Sequence, residues 1–270
     1  MLDEVSYDGS AGGDGADSLV PELVRWVRQA ERILFITGAG ISADSGLPTY
    51  RGVGGLYDDA GTDEGLAIED ALSGGMMRRR PEVCWKYIAQ VEQACRGAAP
   101  NRAHDVIARL EAERGQGGVV VLTQNVDGLH GAAGSHELIE MHGNVHQLHC
   151  TRCAWEQVVA DYAGLRLPPR CPECGGLVRP RVVLFDEVLP AAALSSLRAQ
   201  LQRGFDLVVA VGTTAAFPYI AAPVHMAPQW GANTVEINPG TSAVSQAVDL
   251  RVRARAAPTF GALAAALGYG

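Results

Sequence analysis

The 270-residue sequence predicts an α/β protein built on a doubly wound parallel sheet. Short β-branched segments that are apolar almost throughout alternate with segments of helical periodicity, which is typical of parallel strands covered on both faces. A glycine-rich loop directly follows the first of these strands. Hydrophobic residues make up 47% of the chain and charged residues 19%, the balance of a globular protein with a substantial core.

The elements are predicted in order from the N-terminus. Residues 1–17 are rich in Gly and Asp without periodicity and predict a mobile tail, with order beginning near Ser18 as the N-cap of a first helix. Helices are predicted over 18–30, 101–114, 191–203 and 220–230. Strands are predicted over 32–37, 118–124, 206–212, 233–238 and 249–254. Residues 52–100 and the cysteine-bearing stretch 146–180 do not fit this alternation.

The charge balance argues against several classes of partner. A formal net charge of −8 leaves no broad basic surface, so neither a nucleic acid nor a polybasic attachment to membranes is expected. No apolar run approaches the roughly 18 residues of a spanning helix, and the N-terminus lacks the pattern of a secretory signal. The sequence therefore predicts a cytoplasmic protein, and it does not predict an oligomeric state.

The glycine loop "ITGAGISADSGLPTYRG" is a candidate nucleotide site. Gly38, Ala39 and Gly40 stand between a strand and a helix start, where backbone amides could approach a pyrophosphate, and Ala43 completes a Gly-x-Gly-x-x-Ala pattern. This pattern alone is equally compatible with ordinary turn chemistry. The dense polar run that continues to Arg51 is not needed by a dehydrogenase.

Four of the six cysteines form two Cys-x-x-Cys pairs separated by 17 residues, Cys150 with Cys153 and Cys171 with Cys174. This spacing predicts a four-thiolate zinc ribbon, with a redox dithiol as the alternative. A closed shell of four sulfurs leaves no position for water, so the metal would be structural. Cys84 and Cys95 stand apart and are interpreted as buried small apolar residues.

Two histidines are candidate catalysts. His142 precedes a glycine after a short apolar stretch, and His130 follows the polar strand exit that carries Gln124, Asn125 and Asp127. Ligands bind at such carboxyl ends in doubly wound sheets, but spacing alone leaves the choice between the two histidines open. The remaining histidines are interpreted as structural, with His146 and His149 as alternative zinc ligands: His104, His136, His146, His149 and His225.

Several motifs together resemble the sirtuin family of NAD-dependent protein deacylases over about Ile33 to Leu267. They are "GAGISADSGLPTYRG", "TQNVDGLH", "MHGNV", "CTRC" with "CPECGG", "VGTT" and "EINPG". The resemblance implies a Rossmann-type large part over about 18–51, 101–145 and 181–270. It implies a smaller inserted module over about 52–100 and 146–180, which contains the zinc ribbon.

The resemblance also implies the chemistry. NAD is consumed as co-substrate, and the acyl group, acetyl in the first instance, leaves a lysine side chain of a protein or peptide. The acyl oxygen displaces nicotinamide at the ribose, and His142 as general base helps a ribose hydroxyl to attack the resulting imidate. Asn125 and Asp127 hold the nicotinamide end and the ribose, and the products are nicotinamide and O-acyl-ADP-ribose.

The resemblance assigns binding roles position by position. The NAD contacts are Gly38, Ala39, Gly40, Ser42, Ala43, Asp44, Tyr50, Arg51, Gln124, Asn125, Asp127, Gly212, Thr213, Thr214, Asn238 and Ala256. In "VVLFDEVLP", the residues expected at the substrate peptide are Val183, Phe185, Asp186 and Glu187. Ile88 and Val91 fall on the helix that lines the acyl pocket, where relatives that remove acidic acyl groups carry tyrosine and arginine. Acidic acyl chains should therefore be disfavoured.

Two departures from the family pattern affect these expectations. Asp186 stands where the family has glycine, which predicts a preference for basic residues beside the acyl-lysine. The segment "AAFPYI" after "GTT" is one residue shorter to its proline, which makes the contact of Thr214 less secure. Three other functions are alternatives: a sirtuin-like ADP-ribosyltransferase using the same NAD site, an inactive zinc-ribbon binding module, and a hydride-transferring dehydrogenase.

Overall fold

The computed structural model describes residues 16–48 and 62–270. Its helices are α1 (Ala16–Gln29), α2 (Ala39–Ser42), α3 (Ile68–Ala71), α4 (Gly74–Arg79), α5 (Pro81–Cys95), α6 (Arg102–Arg114), α7 (Leu129–Ala132), α8 (Ala191–Arg203), α9 (Pro218–Trp230) and α10 (Ala256–Leu267). Its strands are β1 (Ile33–Thr37), β2 (Val119–Thr123), β3 (Leu138–Glu140), β4 (Gly143–Cys150), β5 (Glu156–Val158), β6 (Val178–Val182), β7 (Leu207–Val211), β8 (Asn233–Ile237) and β9 (Leu250–Val252). Within these ranges, no helix has the length and apolarity that crossing a membrane requires.

The large sheet is parallel and has six strands in the order β3-β2-β1-β7-β8-β9. Counting only the strands of this sheet along the chain, the order is 3-2-1-4-5-6, that of a dinucleotide-binding doubly wound sheet. The predicted doubly wound α/β fold is confirmed. The strand order reverses between β1 and β7, so the crevice for a ligand is expected outside the carboxyl ends of these two strands.

Helices cover both faces of the sheet, because successive side chains of each strand point to opposite sides. Ile33 and Phe35 share a core with α1, α6 and α10, whereas Leu34 and Ile36 share one with α8 and α9. All five residues of β1, β2 and β7 are buried, as their continuous apolar sequences predicted. Each large apolar side chain buried in this way contributes about 1.5–3 kcal/mol to stability.

The first helix begins earlier than predicted. It starts at Ala16, so Ser18 lies inside the helix and the prediction of Ser18 as its N-cap is wrong. Pro21, expected in the first turn, lies beyond that turn because the helix starts at residue 16. The polar tail before it offers no periodicity from which this earlier start could be read.

A second, antiparallel sheet of three strands, β5-β4-β6, was not predicted. It shares a core with the helices of the 62–100 stretch, in which Trp85 is fully buried against Tyr162 and donates from Nε1 to the Val178 carbonyl at 3.0 Å. Cys84 is fully buried in the same core, as predicted, and burial raises its pKa to about 12. Cys95, by contrast, is half-buried.

Candidate active site and metal centre

The glycine loop after β1 meets the exit of β7 in direct backbone contact. The Gly38 amide donates to the Val211 carbonyl at 3.2 Å, and the Gly40 amide donates to the Gly212 carbonyl at 2.8 Å. A Cβ atom on Gly40 would lie 2.6 Å from the Gly212 Cα, and one on Gly212 would lie 2.5 Å from the backbone of Ile41. Only glycine fits at these two positions, and the contact falls at the point where the strand order reverses.

Polar side chains from the exit of β2 are bonded to this loop. Ser42 donates from Oγ to the Asp127 carboxylate at 2.7 Å. Asn125 donates from Nδ2 to the Gly38 carbonyl at 3.1 Å and to Ser42 Oγ at 3.2 Å. The second Asp127 oxygen accepts from the Leu129 amide at 2.9 Å. The side chains of Asn125 and Asp127 are therefore held in place before any ligand binds.

A second set of bonds joins the exits of β2, β7 and β8. Gln124 donates from Nε2 to Thr213 Oγ1 at 2.8 Å, and Asn238 donates from Nδ2 to the Thr213 carbonyl at 3.0 Å. Thr213 is buried, whereas Thr214 is exposed and its carbonyl accepts from the Ala243 amide at 2.9 Å. Thr213 thus connects the exits of β2 and β8, and the Thr214 backbone is bonded to the following loop.

Asp44 connects the glycine loop to the last helix. Its carboxylate forms an ion pair with Arg255 at 2.6 Å and accepts from the Ala257 amide at 2.9 Å. Ala256, between these two partners, is buried. Tyr50 and Arg51, predicted to complete the same pocket, lie outside the described residues.

His142 follows β3 at the same edge of the sheet. Its carbonyl accepts from the Val183 amide at 2.9 Å, which links it to the segment predicted to pair with the substrate. Burial lowers the pKa of His142, and a hydrogen bond with the backbone of Gln124 offsets part of that effect. The imidazole is therefore predominantly neutral at physiological pH, the state that a general base requires.

Tyr219 is a neighbour of His142 that the sequence reasoning missed. Its hydroxyl lies 2.7 Å from Nε2 of His142, and the Phe217 ring meets the imidazole edge to face at 5.8 Å. The sequence feature that could have indicated this contact is the shortened segment "AAFPYI", which carries both aromatic residues. The sequence does not show that these rings reach His142, because their position depends on where α9 begins.

His130 has the surroundings of a structural residue. It is 2% exposed, and its Nε2 lies 2.9 Å from Thr37 Oγ1. Burial, with a smaller contribution from His104, lowers the pKa of His130 to about 3. His104 itself accepts from the Asn101 amide at the start of α6, where the two residues form a capping box.

The segment that follows β6 is bonded along one edge. The Phe185 amide donates to the Leu72 carbonyl and its carbonyl accepts from the Gly74 amide, both at 3.0 Å. Asp186 has a φ of 66°, a left-handed conformation that suits the glycine usual in the family. Its carboxylate accepts from the amides of Gly74 at 3.0 Å and Gly75 at 3.1 Å, so it caps α4.

The other predicted substrate residues differ in their surroundings. The Glu187 carboxylate accepts from both terminal nitrogens of Arg179 at 2.6 and 2.9 Å, an internal ion pair that fixes the turn after Asp186. Ile88 is 2% exposed in the core of the antiparallel sheet and its helices, and Val91 is half-buried one turn further along α5. Both α5 positions present aliphatic side chains.

The four paired cysteines converge. All four sulfurs lie within 4.8 Å of one another, with Cys150 Sγ 3.4 Å from Cys174 Sγ and Cys153 Sγ 3.6 Å from Cys171 Sγ. A tetrahedral zinc ion with Zn–S bonds of about 2.3 Å needs sulfurs about 3.8 Å apart, so the residues fit this metal. Among the described residues, the donor cluster consists of these four cysteines and includes neither His146 nor His149, which agrees with the four predicted cysteine ligands.

Backbone amides also favour thiolates at this site. The Gly176 amide donates to Cys174 Sγ at 3.4 Å, and this bond, the largest cause, lowers the pKa of Cys174 to about 6. The Arg152 amide donates to Cys150 Sγ at 3.3 Å. The four cysteines are thus positioned to bind one zinc ion with a closed sulfur shell.

Comparison with known proteins agrees with this geometry. Residues 38–217 match the model of the Sir2 family. NAD-dependent protein deacylase 2 of Pseudomonas aeruginosa is 50% identical over 242 residues, which span 88% of this chain and 93% of that protein. NAD-dependent protein deacylase of Aquifex aeolicus is 36% identical over 83% of this chain and 90% of that protein.

Solved structures are similar over nearly the same extent. A complex of a Sir2 homolog with NAD superposes with a TM-score of 0.80 at 31% identity, covering 92% of this chain and 93% of that one. A complex described as Sir2 with a p53 peptide and NAD+ gives a TM-score of 0.77 at 27% identity, covering 92% and 98%.

Proposed function

The chain belongs to the Sir2 family and is an NAD-dependent protein deacylase, and we propose that His142 is its general base. The observation that carries this assignment is the convergence of the glycine loop, Asn125, Asp127 and His142 at the carboxyl edge of the large sheet. The reaction removes an acyl group from a lysine side chain and releases nicotinamide and O-acyl-ADP-ribose.

NAD would bind across the contact between the loops after β1 and β7. The glycine loop lies where the sheet order reverses, which supports a pyrophosphate position beside Gly38 and Gly40. The amides of these two glycines already donate to Val211 and Gly212, so the glycines would let NAD approach the backbone closely and would not donate to it. Gln124, Thr213 and Asn238 form the adjoining wall toward β8. Bound NAD supplies a ribose carbon at which nicotinamide can be displaced.

The polar residues at the exit of β2 would orient the reacting end of NAD. Asn125 and Asp127 are held by Ser42 and by the Gly38 carbonyl, so their side chains lose little conformational entropy when a ligand binds. His142 stands at the next strand exit with a lowered pKa caused by burial. It would accept the proton that a ribose hydroxyl loses as that hydroxyl attacks the acyl carbon.

The acyl-lysine peptide would pair with the segment Val183–Glu187. The Phe185 backbone in this segment is already bonded to residues 72–74 as an isolated strand bridge, and a backbone held in this way can pair with an added peptide strand. A relative has been solved with a p53 peptide, which supports a peptide as the ligand. Ile88 and Val91 would line the acyl pocket and favour acetyl and longer apolar chains.

The two sheets support a division into a large part and an inserted module with the predicted boundaries of about 18–51, 101–145 and 181–270 against 52–100 and 146–180. The helices at 68–95 and the zinc ribbon share one core, separate from the two cores of the large sheet. A reducing, cytoplasmic location is part of the proposal, because the paired cysteines are placed for zinc and not for disulfides.

Mass spectrometry after incubation with NAD and an acetyl-lysine peptide tests the function. Loss of the acetyl mass together with O-acetyl-ADP-ribose supports deacylation. A mass gain on a protein acceptor would instead indicate ADP-ribosyl transfer. Reduction of the nicotinamide would indicate a dehydrogenase, and binding of NAD without turnover would indicate an inactive module.

His142→Ala tests the general base. We expect deacylation to fall by at least about 10²-fold, the lower end of what such a group supplies, with folding and zinc content unchanged. Exchange of labelled nicotinamide into NAD should continue, because displacement of nicotinamide precedes the step that needs the base. His225→Ala, at an exposed position, is the matched control. Full deacylation by His142→Ala would contradict the assignment.

A further inference from the structure

Tyr219 contacts His142 and has no role in the mechanism proposed above. Its hydroxyl oxygen is 2.7 Å from Nε2 of His142. The Phe217 ring stacks on the Tyr219 ring, with 14° between their planes and 5.5 Å between their centroids, and also meets the imidazole edge. The reactive nitrogen of the general base thus faces a hydroxyl group supplied by the protein itself.

The short connection after β7 determines this contact. The chain leaves β7, passes through Ala215 in a left-handed conformation with a φ of 50°, and enters α9 with Pro218 at its first turn. Tyr219 follows at once, and the next residue, Ile220, is fully buried. The Tyr219 backbone is therefore anchored to the core, and its hydroxyl is presented to His142 from a fixed helix start.

The imidazole faces the Tyr219 hydroxyl with Nε2, the nitrogen that a general base needs to keep free of a proton. Burial lowers the pKa of His142, so the neutral ring carries a single proton. In the tautomer with that proton on Nδ1, the Nε2 lone pair accepts from the Tyr219 hydroxyl, and this is the tautomer in which Nε2 can act as the base.

This arrangement restricts how a substrate can deliver a proton. A neutral imidazole nitrogen has one lone pair, and here Tyr219 already occupies it. Burial raises the pKa of Tyr219 to about 12, so the phenol is protonated at neutral pH and begins the reaction as a donor. With the observed contact in place, a proton reaches Nε2 through the phenol oxygen.

We infer that Tyr219 relays the proton from the NAD ribose hydroxyl to His142. The ribose oxygen bonds to the acyl carbon while its proton passes to the Tyr219 oxygen and the Tyr219 proton passes to Nε2. The π pair of the imidate carbon–nitrogen bond moves onto the lysine nitrogen, which becomes neutral as His142 becomes an imidazolium. Tyr219 ends as a neutral phenol that accepts from Nε2. This inference rests on the proposed role of His142 in deacylation.

Tyr219→Phe tests the relay, because it removes the hydroxyl and keeps the ring that stacks on Phe217. We expect kcat for deacylation to fall at least about tenfold, with the KM for NAD and the rate of nicotinamide exchange within about twofold of the wild-type values. Unaltered exchange also shows that the variant is folded and binds both substrates. Tyr269→Phe is the matched control, since the Tyr269 hydroxyl bonds to Glu113 on α6.

A proton inventory in mixtures of H2O and D2O gives a second readout, measured on single turnovers so that the acyl step limits the rate. The wild-type rate should curve with deuterium fraction, because two protons move, and the residual rate of Tyr219→Phe should be linear. Unchanged deacylation in Tyr219→Phe would overturn the relay. Faster deacylation would also overturn it, because it would show that Tyr219 blocks Nε2 until the substrate displaces it. A wild-type protein that exchanges no nicotinamide would refute the proposed function and not the relay alone.

Discussion

The Asp186 carboxylate accepts a hydrogen bond from the Gly74 amide at 3.0 Å and so joins the substrate segment to the first turn of α4. A second bond, from the Gly75 amide at 3.1 Å, uses the other oxygen. Asp186 has a left-handed backbone, which disfavours residues other than glycine, and its side chain offsets that strain by capping the helix. The carboxylate expected to face basic substrate residues is thus engaged within the protein.

Asp186→Ala should lower the free energy of unfolding by about 1–3 kcal/mol, because it keeps the strain and loses both bonds. Asp186→Gly should cost less than about 1 kcal/mol, since it loses the bonds but relieves the strain. Urea unfolding measures both values. Equal losses in the two variants would show that the left-handed conformation carries no strain here.

Cys171→Ala should release zinc and destabilise the antiparallel sheet, because three thiolates leave an open shell and metal binding contributes directly to the folding of such ribbons. Zinc content by atomic absorption and the intrinsic tryptophan fluorescence, to which the buried Trp85 contributes, would report the two effects. Cys84→Ala is the matched control, since Cys84 is buried outside the cluster. A zinc-free Cys171→Ala protein with native fluorescence would contradict a structural metal.

Succinyl-lysine should be a poor substrate, at least about 100-fold below acetyl-lysine in kcat/KM. Burying its carboxylate against Ile88 and Val91 without a cation costs several kcal/mol. Val91→Arg, at a half-buried position, should narrow the difference by supplying a partner for that carboxylate. Steady-state rates on acetyl, succinyl and myristoyl forms of one peptide give the comparison. Succinyl-lysine equal to acetyl-lysine in the wild type would refute the pocket assignment.

Stability should fall as the pH is lowered from about 6.5 toward 5. The folded-state pKa of His130 is lowered to about 3, mainly by burial, so below its unfolded value of about 6.5 the unfolded chain binds a proton that the folded chain does not. The resulting slope is at most about 1.4 kcal/mol per pH unit for this residue. Burial lowers the pKa of His104 as well and adds to the loss in the same direction.

Thermal unfolding between pH 5 and 7.5 measures this slope. His130→Gln should remove the contribution of this histidine to the change of stability with pH. His225→Gln, at an exposed site, should leave that change as it is in the wild type. A wild-type slope that is flat or of opposite sign would contradict a neutral His130 in the folded state.

The strands of the large sheet were predictable because they are buried on both faces, so their apolar runs are continuous and end at recognisable glycines and polar residues. The strand β4, "GNVHQLHC", was missed because its buried residues do not alternate regularly, a bulge interrupts its pairing with β6, and β6 lies about 30 residues later. Helix α10 was missed because its alanines and glycine carry little periodicity. These elements are specified by contacts distant in sequence.

Some residues of the site could be predicted from the sequence and others could not, for the same reason. The cysteine ligands were predictable because their spacing itself encodes the geometry, and Asn125 and Asp127 because they end a buried strand. The motif alone could not show that the Asp186 carboxylate caps α4 or that Tyr219 meets His142. Both contacts depend on backbone conformations, at Asp186 and at Ala215, that no local pattern announces.

The back-to-back glycines at the crevice restrict how this enzyme can evolve. When a side chain enlarges at a tight contact, a lineage usually recovers through a second substitution that makes the neighbour smaller. Neither Gly40 nor Gly212 can be replaced by a smaller residue, because each already lacks a side chain and faces the backbone of the other. A genetic screen for suppressors of Gly40→Ala should therefore return reversion to glycine and no compensating change at Gly212.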